Sequence, residues 1–132
     1  MLKKRYFLFI LALVFLSACQ SSGPSTRLSV ELSDFSITPT QLSVPAGAEV
    51  HIKIINNGTV EHNFYIMQYG VDVGDMFDEE DIVNAYWEVE AQPDESVDIS
   101  FTAPDQPGIY QIVCGMPGHL QAGMVGTLEV VK

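Results

Sequence analysis

Apolar and polar residues alternate with a period of two from Leu28 onward, and this pattern limits the fold more than any other feature. The apolar positions are 28, 30 and 32 and then 50, 52 and 54, with polar neighbours between them. Side chains of a strand point alternately to its two faces, so the pattern predicts strands with one buried face. Gly, Pro and Asn clusters predict turns between the strands. Further strands are predicted at 60–67, 86–91, 96–102, 109–114 and 125–131. Many short strands separated by turns predict an all-β Greek-key sandwich or barrel.

The segment 72–86 interrupts this pattern and is predicted to be a short helical or loop insert. Asp75 is a candidate N-cap for a helix over 77–86. The acidic run 78–81 is interpreted as a solvated helix face, with a docking patch as the alternative. Trp87 alternates with glutamates and is expected to pack in the core rather than to transfer electrons.

The motif Cys114-Gly-Met-Pro-Gly-His119-Leu-Gln-Ala-Gly-Met124 carries a thiol, an imidazole and a thioether at five-residue intervals. Gly and Pro between these donors favour turns over a helix, so the loop can return its donors to one point. This donor set suits copper better than a hard cation or a closed zinc site. The sequence therefore predicts a metal-binding loop.

A fourth ligand has to come from elsewhere in the chain. His51 shares its strand face with Glu49 and Lys53, so it is placed in solvent and excluded. His62 begins a predicted strand just after an Asn-Asn-Gly turn, where the end of a sandwich carries ligands. Two histidines, a thiolate and a weak axial methionine form a blue-copper electron-transfer site. The predicted metal ligands are His62, Cys114, His119 and Met124.

Over residues 28–132 the chain resembles the cupredoxins, the small blue copper proteins. The Cys-x4-His-x4-Met spacing is similar to that of auracyanin, rusticyanin and sulfocyanin. The resemblance implies one copper ion that cycles between Cu(I) and Cu(II), and it favours Met124 over Met116 as the axial ligand. It also implies that Asn63, which follows His62, hydrogen-bonds to the cysteine loop.

Two further groups of residues are expected around the metal. Backbone amides near Met116 and Gly118 are predicted to donate hydrogen bonds to the sulfur. An apolar patch around His119 is predicted to contact redox partners, with covering of the site as the alternative. The residues of this patch are Met116, Pro117, Leu120 and Ala122.

The first 27 residues have the composition of an export signal and a tether. Three basic residues precede an apolar run of 6–16, which is too short to span a membrane. The run ends in Leu-Ser-Ala-Cys19, which is similar to the lipobox of bacterial lipoproteins. The sequence predicts a signal peptide at 1–18, a lipidated Cys19 with a flexible tether at 19–27, and a cupredoxin domain at 28–132. An ordinary signal peptide is the alternative.

Charge limits the possible partners. Removal of the signal leaves 3 Lys and Arg against 17 Asp and Glu, which changes the formal charge from −11 to −14. This acidity argues against nucleic acid and against adhesion to anionic lipid. It favours a partner with a basic face, although solubility alone also explains it.

The function expected from these features is single-electron transfer between membrane-associated redox partners outside the cytoplasm. The protein is expected to be a monomer and not an enzyme. Copper delivery, storage or sensing is the alternative function. A zinc site would have a methionine as a poor fourth ligand, and a catalytic cysteine would lack a third orienting group.

Overall fold

The computed structural model describes residues 23–132, and the predicted signal peptide and Cys19 lie outside this range. Nine strands and one short helix follow in the order β1 Arg27–Ser33, β2 Ser36–Thr38, β3 Gln41–Pro45, β4 Glu49–Asn56, β5 His62–Met67, α1 Glu79–Ile82, β6 Ala85–Ala91, β7 Ser96–Thr102, β8 Gly108–Val113 and β9 Val125–Val131. The all-β class predicted from the alternation is confirmed.

The strands form two sheets. The first has the order β2-β1-β4-β7 and the second the order β3-β9-β8-β5-β6. Most pairs are antiparallel, but β1 pairs in parallel with β4 and β3 in parallel with β9. Parallel pairs need long connections that cross between sheets, so the topology is a sandwich rather than a series of hairpins.

The alternation of apolar and polar residues determines which side chains point into the core. Val30, Leu32, Val50 and Ile54 are fully buried between the sheets, as their even positions predict. His51, on the opposite face of β4, is exposed and its Nδ1 lies 2.8 Å from the hydroxyl of Ser100. Its placement in solvent is thus confirmed.

Aromatic side chains pack against one another in the core. Trp87 is half-buried and stacks on Phe101 with ring centroids 4.7 Å apart. Its ring also meets Phe64 edge-on. Offset-stacked and edge-to-face arrangements are the favourable aromatic geometries, so Trp87 has the structural role expected from its sequence position.

The insert between β5 and β6 contains less helix than predicted. Helix α1 has four residues, and its N-cap is Asp78 rather than Asp75. Asp78 accepts from the backbone N–H of Glu80, and Asp81 accepts from the backbone N–H of Asp78. The helix is short because this capping box starts it only after Asp78 and because strand β6 begins at Ala85. Among residues 23–132, no helix is long and apolar enough to cross a membrane.

Candidate metal centre

The ends of three adjoining strands bring the predicted ligands together. His62 is the first residue of β5, Cys114 directly follows β8, and Met124 directly precedes β9. Strand β8 lies between β9 and β5 in the second sheet, and Val113 pairs with both Tyr65 and Val125. The strand ends are therefore fixed by the ladder, which gives the donors a rigid base.

Backbone hydrogen bonds fold the loop 114–124 back on itself. The N–H of Met124 donates to the carbonyl of His119 at 3.0 Å, and the N–H of Cys114 donates to the carbonyl of Met124 at 3.2 Å. Gly118 and Gly123 have φ values of +84° and +97°, which glycine adopts without steric cost. The Gly-rich spacing of the motif therefore produces compact turns.

All four predicted ligands are removed from solvent. Cys114, His62 and Met124 are fully buried, and His119 keeps 8% of its surface exposed. The Sγ of Cys114 lies 3.5 Å from Nδ1 of His119, and the two imidazole centroids are 4.9 Å apart. The residues thus converge on one buried region, with His119 nearest to the surface.

Hydrogen-bonding groups of strand β5 and of the metal loop itself lie around Cys114. Burial raises the pKa of the Cys114 thiol, and backbone N–H groups of Met116 and Asn63 counteract part of that rise. The Oδ1 of Asn63 lies 3.5 Å from the sulfur and accepts from the N–H of Gly115 at 2.6 Å. A metal that binds the thiolate has to displace the thiol proton, which couples binding to pH.

Gly118 and Met116 occupy different positions relative to the sulfur. The carbonyl of Gly118 accepts from the N–H of Ala122, while donation from the Gly118 amide to the sulfur stays a prediction. The backbone N–H of Met116 faces the Cys114 sulfur, and its side chain packs against the main core. Met124 is the more deeply buried thioether of the two.

His62 has one nitrogen engaged and one without a partner. Its Nδ1 lies 3.0 Å from Oδ1 of Asn56, whereas its buried Nε2 has no hydrogen-bond partner. Asp34 is the nearest carboxylate, at 3.8 Å from Nε2, which is too long for a hydrogen bond. Burial, and then the charge of His119, lower the pKa of His62, so the ring is held neutral as a metal ligand requires.

The donor set fits a copper ion. A thiol, two imidazoles and a thioether are all buried, one imidazole nitrogen is unpartnered, and these are soft or borderline donors. Within residues 23–132, no three His, Cys, Asp or Glu side chains are already arranged in ligating geometry. Cys114 and His119 are in contact, while His62 is turned with its Nδ1 toward Asn56.

Phe35 is a contact that the sequence analysis missed. It lies in the β1–β2 turn at φ +67°, is 51% exposed, and meets His119 edge-on with centroids 5.3 Å apart. A non-glycine residue at positive φ is strained, and such strain is often found at functional sites. The chain contains no local pattern that links residue 35 to residue 119.

Phe77 of the insert is a second missed contact. Its ring packs on Tyr65 with centroids 4.8 Å apart, and both rings border Gly115, directly after Cys114. The insert therefore covers the peptide that follows Cys114. An aromatic residue inside an acidic segment is the only signal for this contact in the sequence.

The predicted docking patch is only partly at the surface. Pro117 and Ala122 are exposed and Met116 is half-buried. Leu120 is 9% exposed and belongs to a second core cluster with Tyr65 and Val113, so it is not available to a partner. The exposed ring of Phe35 is the apolar surface that lies against His119 instead.

A family model described as the cupredoxin-like domain matches residues 6–126 of this chain. The chain belongs to the cupredoxin-like family. The resemblance predicted from the fold pattern and the Cys-x4-His-x4-Met spacing is thereby confirmed.

Similarity to individual relatives indicates that the chain is a cupredoxin of the auracyanin type. The chain is 33% identical over 107 residues to auracyanin-B of Chloroflexus aurantiacus. The aligned region covers 69% of this chain but only 45% of auracyanin-B. The chain thus spans less than half the length of this curated relative. Reduced auracyanin from Roseiflexus castenholzii matches with a TM-score of 0.73 and 28% identity, over 83% of this chain and all of that one.

Two further solved structures extend the comparison. Auracyanin A of Chloroflexus aurantiacus, described as a "blue" copper protein, matches with a TM-score of 0.62 and 27% identity, over 80% of this chain and 99% of that one. Reduced rusticyanin shares the fold, with a TM-score of 0.55 and 24% identity over 83% of each chain. Auracyanin-type cupredoxins therefore provide a family context for this site.

Proposed function

We propose that this protein binds one copper ion through His62, Cys114, His119 and Met124 and carries single electrons between redox proteins. The observation that carries the proposal is the burial of this soft donor set at three adjoining strand ends, with Cys114 and His119 already in contact. Its relatives include a protein described as a blue copper protein. Copper in such a site exchanges one electron by changing between Cu(II) and Cu(I).

The protein residues would hold the metal in one arrangement in both oxidation states. The ladder between β5, β8 and β9 fixes the positions of His62, Cys114 and Met124, and the backbone bonds within the loop fix His119. Asn63 ties Gly115 to β5 and borders the sulfur. A rigid set of donors limits rearrangement, which favours rapid electron transfer over ligand exchange.

The burial of Cys114 supports a carrier rather than an enzyme. A catalytic thiol has to reach a substrate and is activated by a lowered pKa, whereas this sulfur is fully buried and its pKa is raised. His119 is the ligand nearest to solvent. We therefore place electron entry and exit at the edge of its ring.

The partner would contact the protein through a small apolar surface around His119. Phe35, Pro117 and Ala122 are the exposed members of this surface, and the partly buried side chain of Met116 borders it. Weak electron-transfer encounters use small interfaces, so such a surface allows close approach without long residence. The partners are a redox donor and a redox acceptor, and the carrier acts as a monomer.

Repeated reduction and reoxidation with measurement of bound copper tests the carrier function. A carrier is expected to cycle reversibly and to retain its copper in both states. Loss of copper on reduction, in the presence of a Cu(I) acceptor, would support the alternative function in copper delivery or storage. A variant with Met124→Leu serves as a comparison, since it removes only the axial thioether.

We further propose that the carrier is exported and held at the cell envelope by lipid on Cys19, with a signal peptide at 1–18, a tether at 19–27 and the cupredoxin domain at 28–132. The lipobox-like sequence supports this proposal. Strand β1 already begins at Arg27, the last residue of the proposed tether. Cys19→Ser is expected to release the protein into the soluble fraction. Unchanged membrane association of this variant would contradict lipidation at Cys19.

A further inference from the structure

Strand β5 is buried on both of its faces, whereas β1, β4 and β9 alternate between buried and more exposed positions. Phe64 and Ile66 point into the main core between the two sheets. Tyr65 and Met67 lie on the opposite face of the strand, and both are buried as well. A second layer of protein therefore covers the outer face of β5.

The insert between β5 and β6 and the metal loop 114–124 form this second layer together. An apolar cluster outside the main core contains Tyr65 and Met67 of β5, Val113 of β8, Val73 of the insert and Leu120 of the metal loop. Val73 is 8% exposed and Leu120 is 9% exposed. The insert thus supplies one part of the cover and the metal loop supplies the other.

Backbone hydrogen bonds hold the insert in this place. The N–H of Val73 donates to Oε1 of Gln111 in strand β8 at 3.0 Å. The N–H of Gln68 donates to the carbonyl of Asn84 at 2.9 Å, which joins the two ends of the insert. Gly74 of the insert and Leu120 line the same surface groove. The insert is therefore fixed on β8, beside the metal loop.

Leu120 connects the second cluster to the proposed ligands. It directly follows His119, whose Nδ1 lies 3.5 Å from the sulfur of Cys114. The N–H of Gly123 donates to the carbonyl of Leu120 at 2.9 Å, and the N–H of Met124 donates to the carbonyl of His119 at 3.0 Å. One tight turn thus contains all of these residues. A movement of this turn away from Cys114 would pull Leu120 out of its cluster and expose apolar surface.

We propose that the insert is a strap that keeps the metal loop closed, and that Leu120 is the positioning residue through which it holds His119. The loop supplies three of the four proposed ligands, so copper leaves only when the loop opens. Burial of Leu120 beneath the strap opposes this opening. The part of the inference that concerns copper rests on the proposed function, whereas closure of the loop by the strap does not require the metal.

The test uses variants on both sides of the contact and a matched control. Leu120→Ala weakens the contact from the metal loop, and Val73→Ala weakens it from the insert. Leu120→Met conserves the volume of the side chain and is expected to keep most of the contact. Val44→Ala is the control, because it makes the same change as Val73→Ala at a fully buried position of β3 in the main core.

The first readout is hydrogen exchange of the Gly123 and Met124 amides in the copper-free protein. Loss of buried carbon atoms favours local opening of the loop, which exposes these amides to solvent. We expect exchange to be faster by about 30-fold or more in Leu120→Ala and by about 10-fold in Val73→Ala. Val44→Ala is expected to stay within about threefold of the wild type at these amides, although it lowers global stability.

The second readout is the rate at which the copper-loaded protein transfers Cu(I) to an excess of chelator. Loop opening limits this rate, so we expect Leu120→Ala to release copper fastest and Val73→Ala to follow. Leu120→Met is expected to release copper more slowly than Leu120→Ala. Val44→Ala is expected to release copper at a rate close to that of the wild type.

Three results would overturn the inference. Unchanged exchange at Gly123 and Met124 in both Leu120→Ala and Val73→Ala would show that the insert does not hold the loop, and copper binding would leave the proposed function intact. Equal acceleration in Val44→Ala would assign the effect to stability of the whole domain. Protected loop amides in a wild-type protein that binds no copper would overturn the part that concerns copper, together with the proposed function.

Discussion

Replacement of Gly115 by alanine tests the contact between the insert and the residue after Cys114. The added Cβ would lie 2.7 Å from two ring atoms of Phe77 and 3.0 Å from Cε2 of Tyr65. Overpacking of this kind costs about 1–3 kcal/mol. Alanine also lowers the conformational entropy of the unfolded chain, which offsets about 0.4–1 kcal/mol of this cost. We expect a net loss in the free energy of unfolding of about 1–2 kcal/mol.

A double-mutant cycle identifies the colliding group. Phe77→Ala removes the ring with the closest contacts, so Gly115→Ala is expected to cost at least about 1 kcal/mol less in that background. Gly126→Ala is the matched control, because its Cβ would lie 2.7 Å from the carbonyl oxygen of Thr40, a backbone atom that no side-chain deletion removes. Its cost should be the same with and without Phe77.

Urea unfolding of the copper-free protein, followed by the fluorescence of Trp87, gives these free energies. Trp87 is the only tryptophan and packs on the core, so its signal reports the whole sandwich. A Gly115→Ala protein within about 0.5 kcal/mol of the wild type would refute the predicted collision. An unchanged cost in the Phe77→Ala background would show that the insert does not cover this peptide.

Three further predictions concern strain, titration and charge. Phe35→Val is expected to destabilise the protein by about 1–2 kcal/mol in urea unfolding, because a β-branched residue tolerates positive φ poorly, whereas Phe35→Gly relieves the strain. Burial, and then the carboxylate of Glu88, raise the pKa of Tyr65 to about 12, so the neutral phenol is favoured in the folded state. The contribution of Tyr65 to the free energy of unfolding is complete below pH 10 and is lost as the pH rises toward 12. Tyr65→Phe should remove the highest step of a tyrosinate absorbance titration. The rate of reduction by a cationic reagent should fall with added salt, while that by an anionic reagent should rise, because the chain is strongly acidic. Salt-independent rates would exclude this electrostatic steering.

The sequence predicts the strands and the metal loop because both depend on local patterns. Alternation separates the exposed His51 from the strand-end position of His62. The Gly and Pro residues of 114–124 predict turns, and the structure has turns there. Strand β2 has three residues, and strand β3 has five and ends at Pro45, so both are too short for a clear period and were not predicted.

Contacts between segments that are distant in the sequence cannot be predicted from local patterns. Phe35 reaches His119 only because the β1–β2 turn lies beside the metal loop in the assembled sandwich.

The start of helix α1 is ambiguous in the sequence for another reason. Asp75 and Asp78 are each followed three residues later by an aspartate, so both match a capping pattern, and only Asp78 forms it.

The most direct test of the proposed copper centre is the visible and electron paramagnetic resonance spectrum of the protein loaded with Cu(II), recorded beside Cys114→Ser. We expect an intense blue thiolate-to-copper charge-transfer band and a narrow copper hyperfine splitting, both lost in the variant. Serine keeps the size of the side chain but replaces the soft sulfur donor that this site needs. A pale spectrum with ordinary Cu(II) splitting that is the same in both proteins would show that Cys114 is not a ligand, and it would contradict the electron-transfer function.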